Sequence, residues 1–204
     1  MKRWAIIAFA LILAAVLTAC GNTEDETDTG NENDAPAEDD ATNENGAEDP
    51  NATAEEEVLV SLKNAEGEVV GTATLTPADT GVDIKLEGEN LPPGTKGFHI
   101  HEVGQCEPPD FESAGSHYNP ADAEHGFDHT DGPHAGDLEN IEVADDGTVT
   151  AEVTADMLTL DKDGENTLYT EEGTALVIHS EADDYTSQPA GDAGDRIACG
   201  VIGE

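Results

Sequence analysis

Cationic side chains are the scarcest charged groups in this chain: seven Lys or Arg stand against 47 Asp or Glu among 204 residues, a formal net charge of −40. After Arg3 the only further arginine is Arg196. Binding a phosphate backbone needs clustered cations, so the composition excludes a nucleic-acid partner. Internal repeats and helical periodicity of useful length are also missing, which removes solenoids and helix bundles from consideration. Cysteine is sparse and odd in number, with three residues, so at most one intramolecular pair can form.

What the chain does have is a concentration of histidine. Residues 97 to 137 hold six of the seven histidines, one cysteine and many turn-forming residues. In Gly97-Phe98-His99-Ile100-His101, side chains on an extended strand alternate between faces, so His99 and His101 share one face and Phe98 and Ile100 the other. Two imidazoles at i and i+2 make a chelating pair. His117, His125, His134 and Asp137 follow at spacings of eight, nine and three residues, separated by Gly, Pro, Asn and Asp, which suits a loop folded round an ion. Three nitrogens and one carboxylate oxygen match a closed tetrahedral zinc site. Imidazoles also suit copper, and too many ligands are present for one tetrahedral ion, so two metals are the natural inference. The bland alternative is a set of solvated loop histidines.

The segments GFHIHE, GSHYNP, HG and DGPHAGDL, in that order, resemble the copper/zinc superoxide dismutase family, and the resemblance continues in ALVIHSEADDY and GDRIACGVIG, covering about residues 57 to 203. It implies copper on His99, His101, His117 and His179, and zinc on His117, His125, His134 and Asp137, with the His117 imidazole bridging the metals. It also implies dismutation of superoxide to dioxygen and hydrogen peroxide at copper, with zinc holding the loop. Arg196, in GDRIACG, matches the family's active-site arginine, which attracts the small anion beside the open copper position; a structural salt bridge is the alternative. Asp183 matches the carboxylate that links a copper-ligand histidine to a zinc-ligand histidine, a placement that the neighbouring Asp184 leaves ambiguous by one residue. His129 matches no ligand position and reads as a solvated loop residue.

At the start of the chain, Lys2 and Arg3 precede about fourteen mostly apolar residues ending in Leu17-Thr18-Ala19-Cys20. That run is too short for a comfortable transmembrane helix and reads as an export signal over residues 1–19. Its ending resembles a bacterial lipobox, in which cleavage leaves Cys20 as a lipid-modified N-terminus; a plain secretory signal is the alternative. The lipoprotein reading implies an extracytoplasmic chain anchored to the cell membrane through Cys20. It leaves Cys106 and Cys199 to pair in an oxidising compartment, against the alternative of two unpaired thiols. Residues 21 to 57 contain fifteen Asp or Glu, no Lys or Arg and almost no large apolar side chains. Such a segment cannot bury enough surface to offset the entropy of ordering, so 20–57 is expected to be a disordered acidic tether.

From Val58 onward, short stretches of alternating or β-branched apolar residues are bounded by turn residues. Strands are expected near 58–62, 69–75, 82–86, 96–102, 140–143, 148–153, 174–179 and 196–202. Eight antiparallel strands resemble the family's Greek-key β-barrel or sandwich, and 58–204 is long enough for one folded domain. Segments 155–160 and near Glu181 suit a short helical turn. Two long loops, 103–138 and 180–195, are the functional connections. A homodimer is compatible with this barrel, whose strand pattern does not separate a dimerising face from a core face.

The chain departs from the family in charge, since the 180–195 loop has no lysine to guide an anion. A negative field repels a negative substrate, and salt screens it. The acidity reads as an adaptation to salt or to an exposed envelope surface. The rival function, from a different class, is a non-enzymatic copper/zinc-binding envelope lipoprotein; a scaffold that keeps only the barrel is weaker, because no ligand is lost.

Overall fold

Period-two apolar patterning dictates most of the observed elements. The computed structural model describes residues 57–203. The export signal, Cys20 and, apart from Glu57, the tether expected over 20–57 lie outside the described residues. The strands are β1 (Val58–Lys63), β2 (Val69–Pro77), β3 (Val82–Gly88), β4 (Gly94–Lys96), β5 (Phe98–His101), β6 (Ile141–Val143), β7 (Val149–Ala155), β8 (Thr174–His179) and β9 (Arg196–Ile202). In β3, Val82, Ile84 and Leu86 are buried while Asp83, Lys85 and Glu87 face solvent, the alternation of a sheet with one wet face.

All pairings between strands are antiparallel. Seven strands form one sheet in the order β5-β8-β9-β1-β2-β3-β7, and β4 pairs with β6. The sequential hairpins β1-β2-β3 are joined to non-sequential neighbours, β3 to β7, β5 to β8 and β9 to β1, which are the crossing connections of a Greek key. The sheet curls round a core that includes Leu62, Leu75, Ile84, Leu86, Phe98, Ile100, Leu176 and Ile178. The result is the all-β barrel or sandwich expected.

Three details differ from the sequence-based expectation. The single strand expected over 96–102 is divided at Gly97 into β4 and β5. Gly97 donates its N–H to Glu181 O at 2.7 Å and accepts the His179 N–H at 2.8 Å, and a Cβ there would stand 2.9 Å from Ala193 Cβ. The chain changes sheet at the residue that must let the 180–195 loop come close. Next, the helix among the described residues is a 3-10 turn at Glu112–Ala114, whereas 155–160 begins as the end of β7 and turns through a Leu158 N–H bond to Ala155 O, and no helix forms near Glu181. Finally, a third long connection, 156–173, joins β7 to β8. It buries Leu158 and Leu168 in the core, so its length serves packing.

β8 and β9 carry the feature that matters most downstream. Their register runs Thr174 opposite Ile202 to Ile178 opposite Ala198, and then skips a residue so that His179 lies opposite Arg196. A bulge of this kind re-aims a side chain. Ile197 and Ala198 both pack on the main core, and Arg196 reaches the carbonyls of Phe111 and Gly115 in the first loop.

A disulfide joins Cys106, in the first loop, to Cys199 on β9 across 93 residues. It lies in a small apolar cluster with Phe111, Ala114, Ala175 and Val177, so the first loop is fastened to the barrel by both a covalent bond and burial. Closing a loop of that length is worth about 4 to 5 kcal/mol in the chain-entropy account. Replacing both cysteines by serine is expected to lower the unfolding free energy by about 2 to 5 kcal/mol, read by denaturant titration of the metal-free protein. A loss below about 1 kcal/mol would show that the loop's non-covalent contacts hold it without the disulfide.

Candidate metal centre

β5 is buried on both faces. Phe98 and Ile100 enter the core, and His99 and His101 point to the opposite side, where the first long loop folds back along the strand. Tyr118 N–H donates to Ile100 O at 2.8 Å, and Ile100 N–H donates to Gly136 O at 2.8 Å. These bonds form isolated bridges that set His117 against His101 and Asp137 against His99. Residues distant in sequence thus become neighbours because loop backbone borrows the ladder of β5.

Two clusters of ligand atoms result, each within 4.8 Å: His99, His101, His117 and His179, and His117, His125, His134 and Asp137. All seven residues are buried, and His117 belongs to both sets. His129, the seventh histidine, is outside them; its Nδ1 accepts the N–H of Asp131 at 3.2 Å on the surface. The sequence-predicted ligand residues are therefore all brought together.

Hydrogen bonds define which ring nitrogen each histidine offers. His101 Nδ1 donates to Gly115 O at 3.0 Å and His179 Nδ1 lies 3.4 Å from Gly194 O, so both present Nε2 to the first cluster, 3.3 Å apart. His99 Nε2 donates to Asp183 Oδ2 at 2.7 Å, leaving Nδ1 for the cluster. His125 Nε2 donates to Asp183 Oδ1 at 3.0 Å. Asp183, not Asp184, is thus the carboxylate linking the clusters. Asp184 is exposed and bonds the Ser187 hydroxyl and the N–H groups of Thr186 and Ser187.

Asp137 anchors the second cluster. Its Oδ1 lies 2.9 Å from His117 Nδ1 and 3.2 Å from His134 Nδ1, while Oδ2 accepts the N–H of Gly126 at 2.9 Å and of His134 at 3.0 Å. Burial would raise its pKa, but the hydrogen bonds from His117, His134 and the Gly126 N–H, with the His125 ring close by, outweigh it and hold the carboxyl well below the usual range. Asp183 is also held below that range, its burial outweighed by His125, His99 and the Tyr185 N–H. The histidines divide. Burial, reinforced by neighbouring imidazoles, lowers His117 to about 4 and His179 to about 3, and lowers His101 as well. Burial of His125 is outweighed by Asp137 and Asp183, which raise it to about 9.

Three buried ring nitrogens, His99 Nδ1, His117 Nε2 and His125 Nδ1, have no hydrogen-bond partner. His125 Nδ1 is 3.1 Å from Asp137 Oδ2 yet lacks hydrogen-bond alignment. A buried polar atom without a partner costs about 1 to 3 kcal/mol, and lone pairs converging on a cation remove that cost. The donor sets, four imidazoles in one cluster and three imidazoles with a carboxylate in the other, suit copper and zinc respectively.

The profile described as copper/zinc superoxide dismutase (SODC) matches residues 69–202. This chain belongs to the copper/zinc superoxide dismutase family. A protein of Aquifex aeolicus named Cu-Zn superoxide dismutase 1 is 53% identical over 140 residues, covering 68% of this chain and 83% of its own. The crystal structure of a SOD-like protein from Bacillus subtilis superposes with a TM-score of 0.68 at 45% identity, covering 70% of this chain and 96% of that one. Cu/Zn superoxide dismutase from Brucella abortus gives 0.60 at 31% identity, covering 72% and 99%. Membership makes the protein an oxidoreductase whose family metals are copper and zinc.

Arg196 sits at the margin of the first cluster. Its two terminal nitrogens donate to Phe111 O and Gly115 O, each at 2.6 Å, and Gly115 O is the same acceptor that His101 Nδ1 uses. Phe111 is a residue that the pattern of ligand motifs does not single out, with a left-handed backbone at φ 55°. A cleft of about 760 Å³ beside Arg196 is also lined by Glu66, Asp110, Glu112 and Asp195 and by none of the ligand histidines. Its walls are acidic. Burial lowers the Arg196 pKa, opposed by Glu112 and Asp110, and the guanidinium stays charged.

Asn140 was equally unmarked in the sequence. Its amide accepts the Asp183 N–H at 2.9 Å and donates to Asp183 O at 2.8 Å, and its own N–H donates to Tyr185 OH at 2.8 Å. Lys96, also buried, donates to Ser180 O at 2.6 Å. The second loop is thereby tied to the barrel at both Ser180 and Asp183.

Metal binding requires neutral imidazole. With His125 raised to about 9, loading near neutral pH is expected to release a proton from it, a release that fades as pH rises above about 9. In the metal-free protein the same shift stabilises the fold fully below the unfolded value of about 6.5, and that stabilisation is lost as pH rises through about 9. Calorimetry of zinc loading in buffers of different ionisation enthalpy reads the release; a pH-independent proton count from 7 to 10 would contradict it.

Proposed function

We propose that the protein is a superoxide dismutase that holds copper with His99, His101, His117 and His179 and zinc with His117, His125, His134 and Asp137. The observation that carries the reading is the position of His117, whose Nε2 is buried without a partner while its Nδ1 lies 2.9 Å from Asp137 Oδ1. One imidazole with a nitrogen for each cluster is what a bridging ligand requires. When bound, copper supplies the one-electron couple by which one superoxide is oxidised to dioxygen and a second, with two protons, is reduced to hydrogen peroxide, and zinc supplies a fixed positive charge.

The chain's own residues carry the rest. Arg196 attracts and orients the anion, its guanidinium kept in place by Phe111 O and Gly115 O. His101 and Arg196 share the Gly115 carbonyl, so the anion site and a ligand ring are positioned by one peptide group. Burial and the neighbouring histidines, against the opposing pull of Asp137, lower the His117 pKa to about 4, so the ring is neutral near pH 7 and free to serve as a ligand. Asp183 keeps the rings of His99 and His125 oriented through their outer nitrogens.

A second reading, a copper and zinc carrier without turnover, has one observation in its favour, the designation "SOD-like" of the Bacillus subtilis relative. Superoxide consumption by the copper- and zinc-loaded chain, with metal content measured in parallel, separates the two. Copper-dependent turnover is expected, rising with salt as the field of 47 acidic side chains is screened, from low ionic strength to about 0.15 M, where the Debye length is about 8 Å. His179→Ala is expected to abolish it while zinc remains bound. Stoichiometric copper with no turnover at any salt would favour the carrier.

The leader supports placing this activity outside the cytoplasm, with Cys20 as a lipid-bearing N-terminus on the membrane. Mass spectrometry of the mature chain is expected to find acyl groups on Cys20; a mature N-terminus lacking them would leave a secreted protein.

A further inference from the structure

Both loops that build the centre depend on a small number of cross-braces, and one of them touches a zinc ligand through its backbone alone. The side chain of Gln188, in the second loop, forms a two-bond pair with the peptide of His125. The N–H of His125 donates to Gln188 Oε1 at 2.9 Å, and Gln188 Nε2 donates to His125 O at 2.9 Å. The same Nε2 also donates to Thr186 O at 3.1 Å, which fixes the amide plane from the loop side. The donor and acceptor of a single carboxamide therefore meet the donor and acceptor of a single residue, 63 positions away in the chain.

His125 is the ligand for which such a brace has most effect. Its ring is completely buried, with Nε2 on Asp183 Oδ1 and Nδ1 aimed at the second cluster, 3.1 Å from Asp137 Oδ2. The outer ring nitrogen is therefore held by Asp183, and the backbone that carries the ring decides where Nδ1 points. Unlike His99, His101 and His179, His125 is on no strand. It has no ladder to hold it. The second loop closes directly over it: a Cβ on Gly191, where φ is +70°, would overlap Asp183 Oδ1 and His125 Nε2. Asp128 N–H, just beyond, donates to Tyr185 O at 3.2 Å.

We infer that Gln188 is a positioning residue for zinc: it presets the His125 backbone so that Nδ1 faces the second cluster before the ion arrives, and so makes zinc affinity depend on closure of the 180–195 loop. The inference rests on the zinc reading of that cluster. Its physical basis is preorganisation, since a ligand held in place by outer contacts loses less freedom when the metal binds, and removing such contacts typically weakens metal binding 10- to 100-fold. Gln188 is exposed, so water competes for its amide, and the lower end of that range applies.

The test uses cobalt(II) as a spectroscopic substitute for zinc in the full chain, with Gln188→Met and Gln188→Glu. Gln188→Met keeps the length and removes both bonds. Gln188→Glu keeps the acceptor for His125 N–H and loses the donor to His125 O. The expected result is a roughly tenfold loss of cobalt and zinc affinity in Gln188→Met, by chelator competition, with an altered cobalt absorption spectrum, a smaller loss in Gln188→Glu, and an unchanged melting temperature for the metal-free proteins. Affinity and spectrum in Gln188→Met equal to the parent would overturn the inference and leave the zinc reading standing. A fall in metal-free stability that accounts for the whole affinity loss would also overturn it, by making Gln188 a structural residue. A parent chain that gives no four-coordinate cobalt spectrum would overturn the zinc reading and the inference together.

Discussion

Two carboxylates, Asp137 and Asp183, make it feasible to bury six imidazoles in one small volume. Asp137 gathers His117, His125 and His134, and Asp183 joins His99 to His125. Asp183 directs the outer nitrogens of His99 and His125, while the carbonyls of Gly115 and Gly194 face those of His101 and His179. The remaining cost, three buried nitrogens without partners, points at the two places where cations complete the structure. The centre is therefore only partly satisfied by protein atoms, as a site built for metals must be.

The barrel contributes rigidity and a few irregularities in the right places. β5 is long enough to carry two ligands on one face, and its free backbone groups recruit the loop that brings His117 and Asp137. The division at Gly97 admits the second loop, and the register skip between β8 and β9 sets Arg196 opposite His179. Each is a departure from regular sheet, and each lies beside the chemistry. The disulfide and the burial of Phe111 then hold the segment whose carbonyl groups receive the arginine.

Charge sets this chain apart. The cleft beside Arg196 is lined by Glu66, Asp110, Glu112 and Asp195, in a chain of large net negative charge. The field of such a surface opposes an approaching anion at low ionic strength and shortens as salt is added. The local geometry at Arg196 is independent of it, because the two carbonyl contacts are at hydrogen-bond distance.

The sequence by itself determined most of the strand pattern and which histidines and aspartate gather in the two clusters. Period-two alternation survives in any antiparallel sheet, and histidine clusters at chelating spacings are rare without a metal. It also named Asp183 as the linking carboxylate with an ambiguity of one residue, since adjacent identical residues differ only in which way the backbone turns them. Tertiary structure decided that choice, placing Asp183 between two rings and Asp184 in solvent. It alone brought out Asn140, Gln188 and Phe111, whose contributions are made through amide side chains or backbone carbonyls that carry no compositional mark. It alone divided the strand at Gly97 and gave 156–173 a packing role. Residue type dictates what a side chain can bind, whereas the partners of a carboxamide or a peptide carbonyl are fixed only when distant segments meet.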